Sequence, residues 1–265
     1  MRYRLTSYAV PGENTSPRFA WAFAEGVHAV EPECDVMVST DDRLEAGSVA
    51  MFGSPARWDI LNRAREAGRT WFYGDHGYFG RGRFYRITKN AFQATTLRPW
   101  TERGGARVRQ LGVNIQPWRK GGRHVLVCPP DASYAHLMER SGVPIERPDD
   151  WGVWAREQLS IYTDRPVRVR ERSAAGGMVS LAEDLQGCHA LVTFMSNAAV
   201  EAAVLGVPVF VLGPAAGRAI GLSDLAHIER PDYPDTRPEF VCTLASQQWT
   251  LDEIRAGDAW RYLRA

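Results

Sequence analysis

Hydrophobic and polar positions change in a regular order along the first half of the chain. Four strands are predicted before residue 75: residues 1–10 alternate and then turn apolar, and further strands are predicted at 35–40, 48–54 and 70–74. Two segments of helical period separate some of them: one has Ser16 as its cap and Pro17 in its first turn and extends to Gly26, and the other covers 57–68. This alternation of strands and helices is typical of a parallel α/β sheet.

The second half of the chain repeats this order. Helices are predicted at 149–160 and 180–190, and strands at 124–131, 165–172, 192–195 and 207–212. Residues 101–122, which are rich in glycine and show little periodicity, are predicted to be the linker between the two halves. The fold class is therefore predicted to be α/β, with one parallel sheet in each half.

The stretch 192–213 shows this pattern in its most compact form. Ser196 or Asn197 is a candidate cap of a short helix, and Gly206 is a typical helix terminator before the next strand. The free N–H groups of such a helix point to the edge where parallel strands end, and they favour a phosphate there. Glu201 shares a helical face with Asn197, one turn away, where a carboxylate accepts hydrogen bonds from ribose hydroxyls. A plain capped helix with a surface glutamate explains the same residues equally well.

Ser196 at the turn, Glu201 five residues later and the Gly-x-Pro-Val that starts at Gly206 resemble the donor half of GT-B glycosyltransferases, particularly the capsule-polysaccharide and Kdo-transferase type. The resemblance covers residues 167–213. It implies two Rossmann-like parallel-sheet domains that face a cleft, with a C-terminal helix that crosses back onto the first. In those families the turn hydroxyl and the helix N-terminus hold the phosphates of a sugar nucleotide and the carboxylate holds its ribose. The resemblance therefore implies that Ser196, Asn197 and Glu201 bind the donor.

The same resemblance implies further donor-binding residues. The predicted strand at 165–172 matches the second strand of the family's donor domain, whose end often contributes a basic residue to the phosphates; Arg170 and Arg172 are the candidates. Pro129 ends the first strand of that domain, which faces the cleft in the family. Arg218, in the loop beyond the last strand, is a further candidate for the phosphates.

These observations predict three segments of the chain. Residues 1–118 form an acceptor-side Rossmann-like domain, and 119–240 form the Rossmann-like domain that binds the nucleotide sugar. Residues 241–265 form the C-terminal helix that packs back on the first domain, which assigns Trp249 and Trp260 to packing.

Composition limits the classes of protein to consider. The chain has 265 residues, of which 45% are hydrophobic and 24% charged, as expected for an ordinary globular protein. No apolar run approaches the ~18 residues of a membrane span, and the N-terminus lacks the apolar core of a signal peptide, so a cytoplasmic location is expected. The four cysteines form no Cys-x-x-Cys pair, and reduced, partly buried thiols are expected.

Charge is distributed unevenly although the net charge of the chain is only +1. Residues 81–123 contain eleven basic residues and a single acid, Glu102. Such a concentration indicates a polyanionic partner, which the charge of the whole chain conceals.

Asp75 and His76 are the candidate catalytic residues. They lie at the end of a predicted strand between two glycines, where the backbone approaches a ligand closely and a carboxylate or imidazole is well placed as a general base. Asp75 is the first candidate for the base and His76 the second. The alternative is that Asp75 caps a turn and His76 is solvated.

The segment after His76 mixes bases and aromatic residues. Basic residues of this segment that are candidates for binding an acceptor or a nucleic acid are Arg81, Arg83, Arg86 and Lys89. They interleave with Phe79, Phe84, Tyr85 and Phe92, a mixture that favours phosphates and unstacked bases. In the alternative interpretation, Phe84 and Ile87 belong to the core and the arginines face water.

Two further observations concern the acceptor. Asn14 lies in the loop 12–15 at the end of the first strand, where α/β sheets bind ligands, although a simple connection is an open alternative. Gly-Tyr-Phe-Gly at 77–80 and Phe-Tyr-Arg-Ile-Thr-Lys-Asn at 84–90 resemble a group of phage-encoded glycosyltransferase-like proteins. This resemblance, together with the basic segment, suggests a hydroxymethylated pyrimidine in phage DNA as the acceptor, and the host cytoplasm as the location.

Missing motifs exclude several other classes. The absence of Asp-x-Asp weighs against a metal-bridged GT-A enzyme, and the histidines show no metal-binding spacing, so no metal is expected. GxGxxG and GxxxxGK[ST] are also missing, which argues against a dehydrogenase and a P-loop NTPase. We expect a metal-independent glycosyltransferase with a nucleotide sugar as co-substrate and no permanently bound cofactor. A surface-polysaccharide transferase, a sugar-nucleotide 2-epimerase and a non-catalytic nucleic-acid-binding protein remain alternatives, and the oligomeric state is open.

Overall fold

The computed structural model describes residues 3–53, 58–95, 97–98, 101–170 and 180–264, with the backbone alone at 101–102. The chain divides into two compact units. Unit 1 comprises Met1–Phe92 and Leu244–Ala265, and unit 2 comprises Gln93–Thr243. Each unit contains one sheet.

The sheet of unit 1 has five strands in the order β2-β1-β3-β4-β5. Their bounds are Arg4–Tyr8 (β1), Asp35–Ser39 (β2), Ser48–Phe52 (β3), Trp71–His76 (β4) and Tyr85–Lys89 (β5). The first four strands are parallel, as their apolar runs predict, whereas β5 is antiparallel to β4. The basic and aromatic segment after His76 is therefore a hairpin that extends the sheet, which its composition did not reveal.

The helices found in the described part of unit 1 are α1 (Thr15–Val30), α2 (Trp58–Glu66), α9 (Leu251–Arg255) and α10 (Asp258–Arg264). Gly26 does not end α1, contrary to the sequence prediction. A Cβ at Gly26 would lie 1.9 Å from the carbonyl oxygen of Ile254, so this glycine lets α1 and α9 approach closely.

The start of α1 also differs from the prediction. Asn14 occupies the cap position and makes no side-chain capping bond. Ser16, the predicted cap, is buried inside the first turn, and its Oγ accepts the N–H of Val10 at 3.0 Å. The hydroxyl therefore closes the loop between β1 and α1 instead of capping the helix.

Aromatic side chains dominate the core of unit 1. The indole of Trp260 is 1% exposed and lies 5.8 Å from the ring of Phe23 and 5.3 Å from the ring of Phe72. Trp249 is fully buried in the same cluster. The sequence prediction that Trp249 and Trp260 serve packing is confirmed.

The sheet of unit 2 has four parallel strands in the order β7-β6-β8-β9. Their bounds are His124–Cys128 (β6), Val167–Val169 (β7), Cys188–Thr193 (β8) and Val209–Val211 (β9). β8 starts earlier than predicted, because the preceding helix is only one turn long. That helix, α6 (Leu181–Asp184), begins with a capping box between Ser180 and Glu183.

The remaining helices are α3 (Thr101–Leu111), α4 (Ala132–Arg140), α5 (Trp151–Leu159), α7 (Ala198–Val204) and α8 (Arg237–Ser246). The existence of α3 corrects the prediction of a linker at 101–122. Gly104 lies in this helix, and a Cβ there would lie 2.2 Å from the carbonyl oxygen of Cys242. Glycine thus permits close packing against α8 here and does not mark flexible chain.

The bounds of the units differ from the predicted domain bounds of 118 and 240. Residues 93–118 belong to unit 2. The N–H of Gln116 donates to the carbonyl oxygen of Val204 at 2.8 Å, and the N–H of Arg119 donates to that of Gly206 at 2.7 Å. These bonds tie the segment to the end of α7, so the division falls near residue 93. Residues 244–265 belong to unit 1.

Two general properties of the described ranges bear on function. None of the helices found there is both long and apolar enough to span a membrane. Cys34, Cys128 and Cys188 are buried thiols, and burial raises the pKa of Cys128 to about 12, so this side chain is an inert part of the core.

Candidate functional site

Three of the predicted donor-binding residues share one edge of the sheet in unit 2. Pro129 follows β6, Arg170 follows β7 and Ser196 follows β8. Because these strands are parallel and adjacent, their carboxyl ends lie at the same edge. Ligands of open α/β sheets bind at this kind of edge.

The turn between β8 and α7 is held by two hydroxyl groups. Thr193 Oγ1 donates to the carbonyl oxygen of Cys128 at 2.7 Å and accepts the N–H of Ser196 at 3.4 Å. Ser196 Oγ accepts the N–H of Ala198 at 3.1 Å, so Ser196 is the residue whose side chain caps the turn. Its own O–H remains a donor.

Asn197 occupies the cap position of α7 and makes no side-chain capping bond. Its Oδ1 is enclosed by protein and has no hydrogen-bond partner within the ranges that the structure describes. Because α7 has only seven residues and the N–H of Ala198 is already used, the helix end contributes less to anion binding than the sequence suggested.

Gln93 also supports this turn, a role that was not predicted from the sequence. Its side chain is 5% exposed, and Nε2 donates to the carbonyl oxygen of Met195 at 2.9 Å. The two residues are 102 positions apart, and no local pattern marks such a contact.

Arg170 lies near enough to Glu201 for its charge to act on the carboxyl group. Glu201 is exposed on α7, yet the protein around its carboxyl desolvates it enough to raise its pKa, and the nearby charge of Arg170 opposes this shift. Arg170 also forms an ion pair with Asp184 at the end of α6. The sequence did not indicate this pair, because the partners lie on separate elements. Arg172 falls outside the described residues.

Arg218 lies in a short 3-10 turn, Ala216–Ala219. Gly217 of this turn packs on Ala199 at the start of α7, so the turn lies beside the candidate phosphate position. The guanidinium of Arg218 is exposed and donates to Ser223 Oγ at 3.2 Å.

Unit 1 holds the second group of candidate residues, Asp75 and His76, at the end of β4. Both carboxylate oxygens of Asp75 accept hydrogen bonds: Oδ2 from a guanidinium nitrogen of Arg86 at 2.5 Å, and Oδ1 from the N–H of His76 at 2.7 Å. Arg86 lies directly opposite Asp75 in the register of β4 and β5. Asp75 therefore belongs to an ion pair in which the guanidinium is buried and the carboxylate is partly exposed.

The structure corrects the prediction that Arg86 binds a nucleic acid. Arg86 is 2% exposed and also donates to the carbonyl oxygens of His76 at 3.2 Å and Phe92 at 2.9 Å. Such a guanidinium has no access to an external phosphate. Arg81, Arg83 and Lys89 are exposed.

Of the four aromatic residues that interleave with these bases, only Phe79 is partly exposed. Phe84, Tyr85 and Phe92 are all buried, as is Ile87. The alternative interpretation, in which this hairpin contributes to the core, is confirmed for Phe84 and Ile87.

The side chain of His76 is half-buried and packs against two aromatic rings. Its ring lies 5.4 Å from that of Phe52, edge on, and 5.8 Å from that of Tyr85, stacked. Burial lowers the pKa of His76, and the charges of Arg81 and Arg86 lower it further, whereas Asp75 opposes them. The imidazole is therefore neutral at neutral pH.

Asn14 is exposed and precedes α1, at the edge where β1 ends. β1 is paired with β3, and β3 ends beside Asp75: a Cβ at Gly53 would lie 3.5 Å from Asp75 Oδ1. The loop with Asn14 thus opens on the same sheet edge as Asp75 and His76.

No group of three or more His, Cys, Asp and Glu side chains in the described part of the chain is arranged to hold a metal ion. What the two sheet edges offer chemically is a hydroxyl, an arginine and a carboxylate in unit 2, and a neutral imidazole beside an ion pair in unit 1.

Comparison with known proteins identifies similar structures only. No protein-family model and no curated protein matches the sequence. The fold is similar to that of KpsC, beta Kdo 2,7 transferase, of Thermosulfurimonas dismutans, with a TM-score of 0.51 and 12% identity over 100% of both chains. A KpsC beta Kdo 2,4 transferase of the same organism has a TM-score of 0.46 at 12% identity, over 90% of this chain and 89% of that one. The first likeness shows that the chain has a glycosyltransferase-like α/β fold.

Proposed function

We propose that this protein is a glycosyltransferase that moves a sugar from a nucleotide sugar to an acceptor hydroxyl. The observation that carries the proposal is that Arg170 and Ser196 lie at the carboxyl edge of one parallel sheet, with Glu201 of α7 near Arg170, in a chain with a glycosyltransferase-like fold. A hydroxyl donor, a cation and a carboxylate at one edge are what a phosphate linked to a ribose requires.

Arg170 is the main residue that binds the donor phosphates in this proposal. Its guanidinium offers charge-assisted hydrogen bonds, and its ion pair with Asp184 holds it beside α7. Ser196 donates its O–H, Asn197 and Arg218 lie next to the same position, and Pro129 lines the edge. Glu201 accepts from the ribose hydroxyls, and neutralisation of the leaving phosphate by Arg170 lowers the barrier to transfer.

The acceptor is assigned to unit 1, where Asp75 and His76 are the candidates for the general base. Exposed Arg81, Arg83 and Lys89 favour an acceptor with negative charge. Our specific proposal for the acceptor remains a hydroxymethylated pyrimidine in DNA, modified in the cytoplasm of a bacterial host, with Asn14 as an additional contact. Because Phe84 and Tyr85 are buried, phosphate contacts from the exposed bases contribute most to this interaction.

Donor binding is expected to raise the melting temperature of the protein. A sugar nucleotide at 100 times its Kd stabilises the folded state by about 2.7 kcal/mol. Arg170→Gln removes a charge-assisted hydrogen bond of about 1.5–3 kcal/mol, so Kd is expected to rise roughly 10-fold to 100-fold. Differential scanning fluorimetry with a panel of sugar nucleotides measures both effects.

The matched control is Arg168→Gln, which removes an exposed arginine two residues earlier in β7. Its donor-induced shift should equal that of the unchanged protein. The donor site is refuted if no sugar nucleotide shifts the melting temperature, or if both variants weaken binding equally.

Transfer to DNA is expected to appear as a hexose-sized mass increase on one nucleoside. The protein is incubated with hydroxymethylated or unmodified DNA and mixed sugar nucleotides in the presence of a chelator, and the DNA is digested for mass analysis. The increase should occur only with hydroxymethylated DNA and should survive chelation, because no metal step is proposed. A donor-dependent shift without any modified nucleoside would rule out the DNA acceptor and leave the transferase assignment standing for another acceptor.

A further inference from the structure

We propose that His76, and not Asp75, accepts the proton of the acceptor hydroxyl, and that Asp75 and Gln248 are positioning residues for it. This inference rests on the transferase function proposed above. It reverses the order that the sequence suggested, in which Asp75 was the first candidate for the base.

The environment of Asp75 makes it a poor proton acceptor. One carboxylate oxygen is bound to Arg86 and the other to the N–H of His76, at 2.5 and 2.7 Å. Arg86 cannot turn away, because two further hydrogen bonds hold its guanidinium to the carbonyl oxygens of His76 and Phe92. To take a proton, Asp75 would have to give up a charge-assisted bond to a buried cation.

The environment of His76 suits a base. Phe52 and Tyr85 fix the plane of its ring, and Nδ1 is enclosed without a hydrogen-bond partner in the described ranges. The charged and titratable groups that face it are Asp75, Arg81, Arg86 and Tyr85. Two of them are cations and one is an ion-paired carboxylate, so the ring is neutral and able to receive a proton.

Gln248 holds the loop that follows His76. Its side chain is fully buried; Nε2 donates to the carbonyl oxygen of Phe79 at 3.0 Å, and Oε1 accepts the N–H of Phe79 at 3.1 Å. Gly77 permits this approach, since a Cβ there would lie 2.8 Å from Oε1. The next residue, Trp249, exchanges two backbone hydrogen bonds with Tyr85 at 2.7 and 2.8 Å. These bonds hold Tyr85, which stacks on the ring of His76, and the loop that follows His76.

The proposed step moves one proton to His76 and one glycosyl group to the acceptor oxygen. The acceptor O–H gives its proton to Nε2 of His76, because Nδ1 is enclosed by protein, and the oxygen forms a bond to the anomeric carbon of the donor. The bond from that carbon to the phosphate oxygen breaks, and its electron pair leaves on the phosphate. The imidazolium then releases the proton to solvent.

The test is the pH dependence of kcat for the intact protein with its sugar nucleotide and acceptor. The unchanged protein should lose activity as pH falls through a midpoint below 6.5, because burial lowers the pKa of His76 and only the neutral ring accepts a proton. His76→Gln should lose this limb and about 100-fold to 10,000-fold of kcat. Asp75→Asn should keep the fall of kcat at low pH, and its loss of kcat should be smaller than that of His76→Gln.

Folding is checked separately by the melting temperature and by the donor-induced shift, which His76→Gln should retain. If His76→Gln does not fold, His76→Ala with added imidazole replaces it, and imidazole should restore turnover. Gln248→Ala should lower kcat and move the pH midpoint of activity, while the donor-induced change in melting temperature stays the same. A merely structural role of Gln248 would leave the pH midpoint in place.

Failure of this inference differs from failure of the transferase function. An unchanged protein that neither binds a sugar nucleotide nor transfers a sugar refutes the function, and the role of His76 with it. A protein that transfers, but whose acid limb persists in His76→Gln and disappears in Asp75→Asn, refutes the role of His76 alone.

Discussion

Replacing Trp260 with alanine is expected to lower the free energy of unfolding of unit 1 by about 3–5 kcal/mol. The indole is 1% exposed and contacts the rings of Tyr3, Phe23 and Phe72, so its removal leaves a cavity that rigid neighbours cannot fill. Denaturant unfolding followed by near-UV circular dichroism measures the loss.

Trp21→Ala is the matched control, because Trp21 lies on α1 of the same unit and is 58% exposed. Its effect should stay within about 0.5 kcal/mol. Equal losses for the two tryptophans would contradict the assignment of Trp260 to the core.

Arg86→Met is expected to destabilise unit 1 by about 3 kcal/mol. The substitution leaves Asp75 without its cation and leaves the carbonyl oxygens of His76 and Phe92 without a donor. The value lies at the low end for a broken ion pair, because the side chain of Asp75 is 32% exposed and water replaces part of the lost bond. Urea unfolding at neutral pH gives the difference.

Two controls separate the ion pair from the general effect of losing an arginine. Arg83→Met removes an exposed guanidinium three residues away and should change stability by less than about 0.5 kcal/mol. Combining Arg86→Met with Asp75→Leu should recover part of the loss, because the unpaired carboxylate is gone. A double variant as unstable as the sum of the single variants would show that the pair does not interact.

The turn and helix at the candidate donor site of unit 2 were predictable, because they depend on residues that are neighbours in the sequence. A short apolar strand, a Ser-Asn turn, a helix of small residues and a glycine follow one another in 192–213, and each step depends on neighbouring residues. Parallel pairing then brings Pro129, Arg170 and Ser196 to one edge. The predicted strand and helix bounds were wrong by a few residues where a one-turn helix, α6, met the start of β8.

The candidate acceptor residues were only partly predictable. The position of Asp75 and His76 at a strand end followed from the apolar run before them. The pairing of Asp75 with Arg86 depends on the register of the hairpin, and composition alone made Arg86 look like a surface base. The prediction of a linker at 101–122 was wrong for a related reason. A glycine that permits close helix packing cannot be distinguished from a linker glycine by sequence alone.

By itself, the sequence determined the α/β class, the order of most elements and the strand ends at which chemistry is possible, because hydrophobic period and turn residues act over a few positions. The tertiary structure alone decided which side chains meet. Gln248 reaches Phe79 across 169 positions, Gln93 reaches Met195 across 102, and Arg86 turns inward to Asp75. Such contacts depend on how distant segments pack, and burial then decides whether a charged or polar group binds a ligand or holds the protein together.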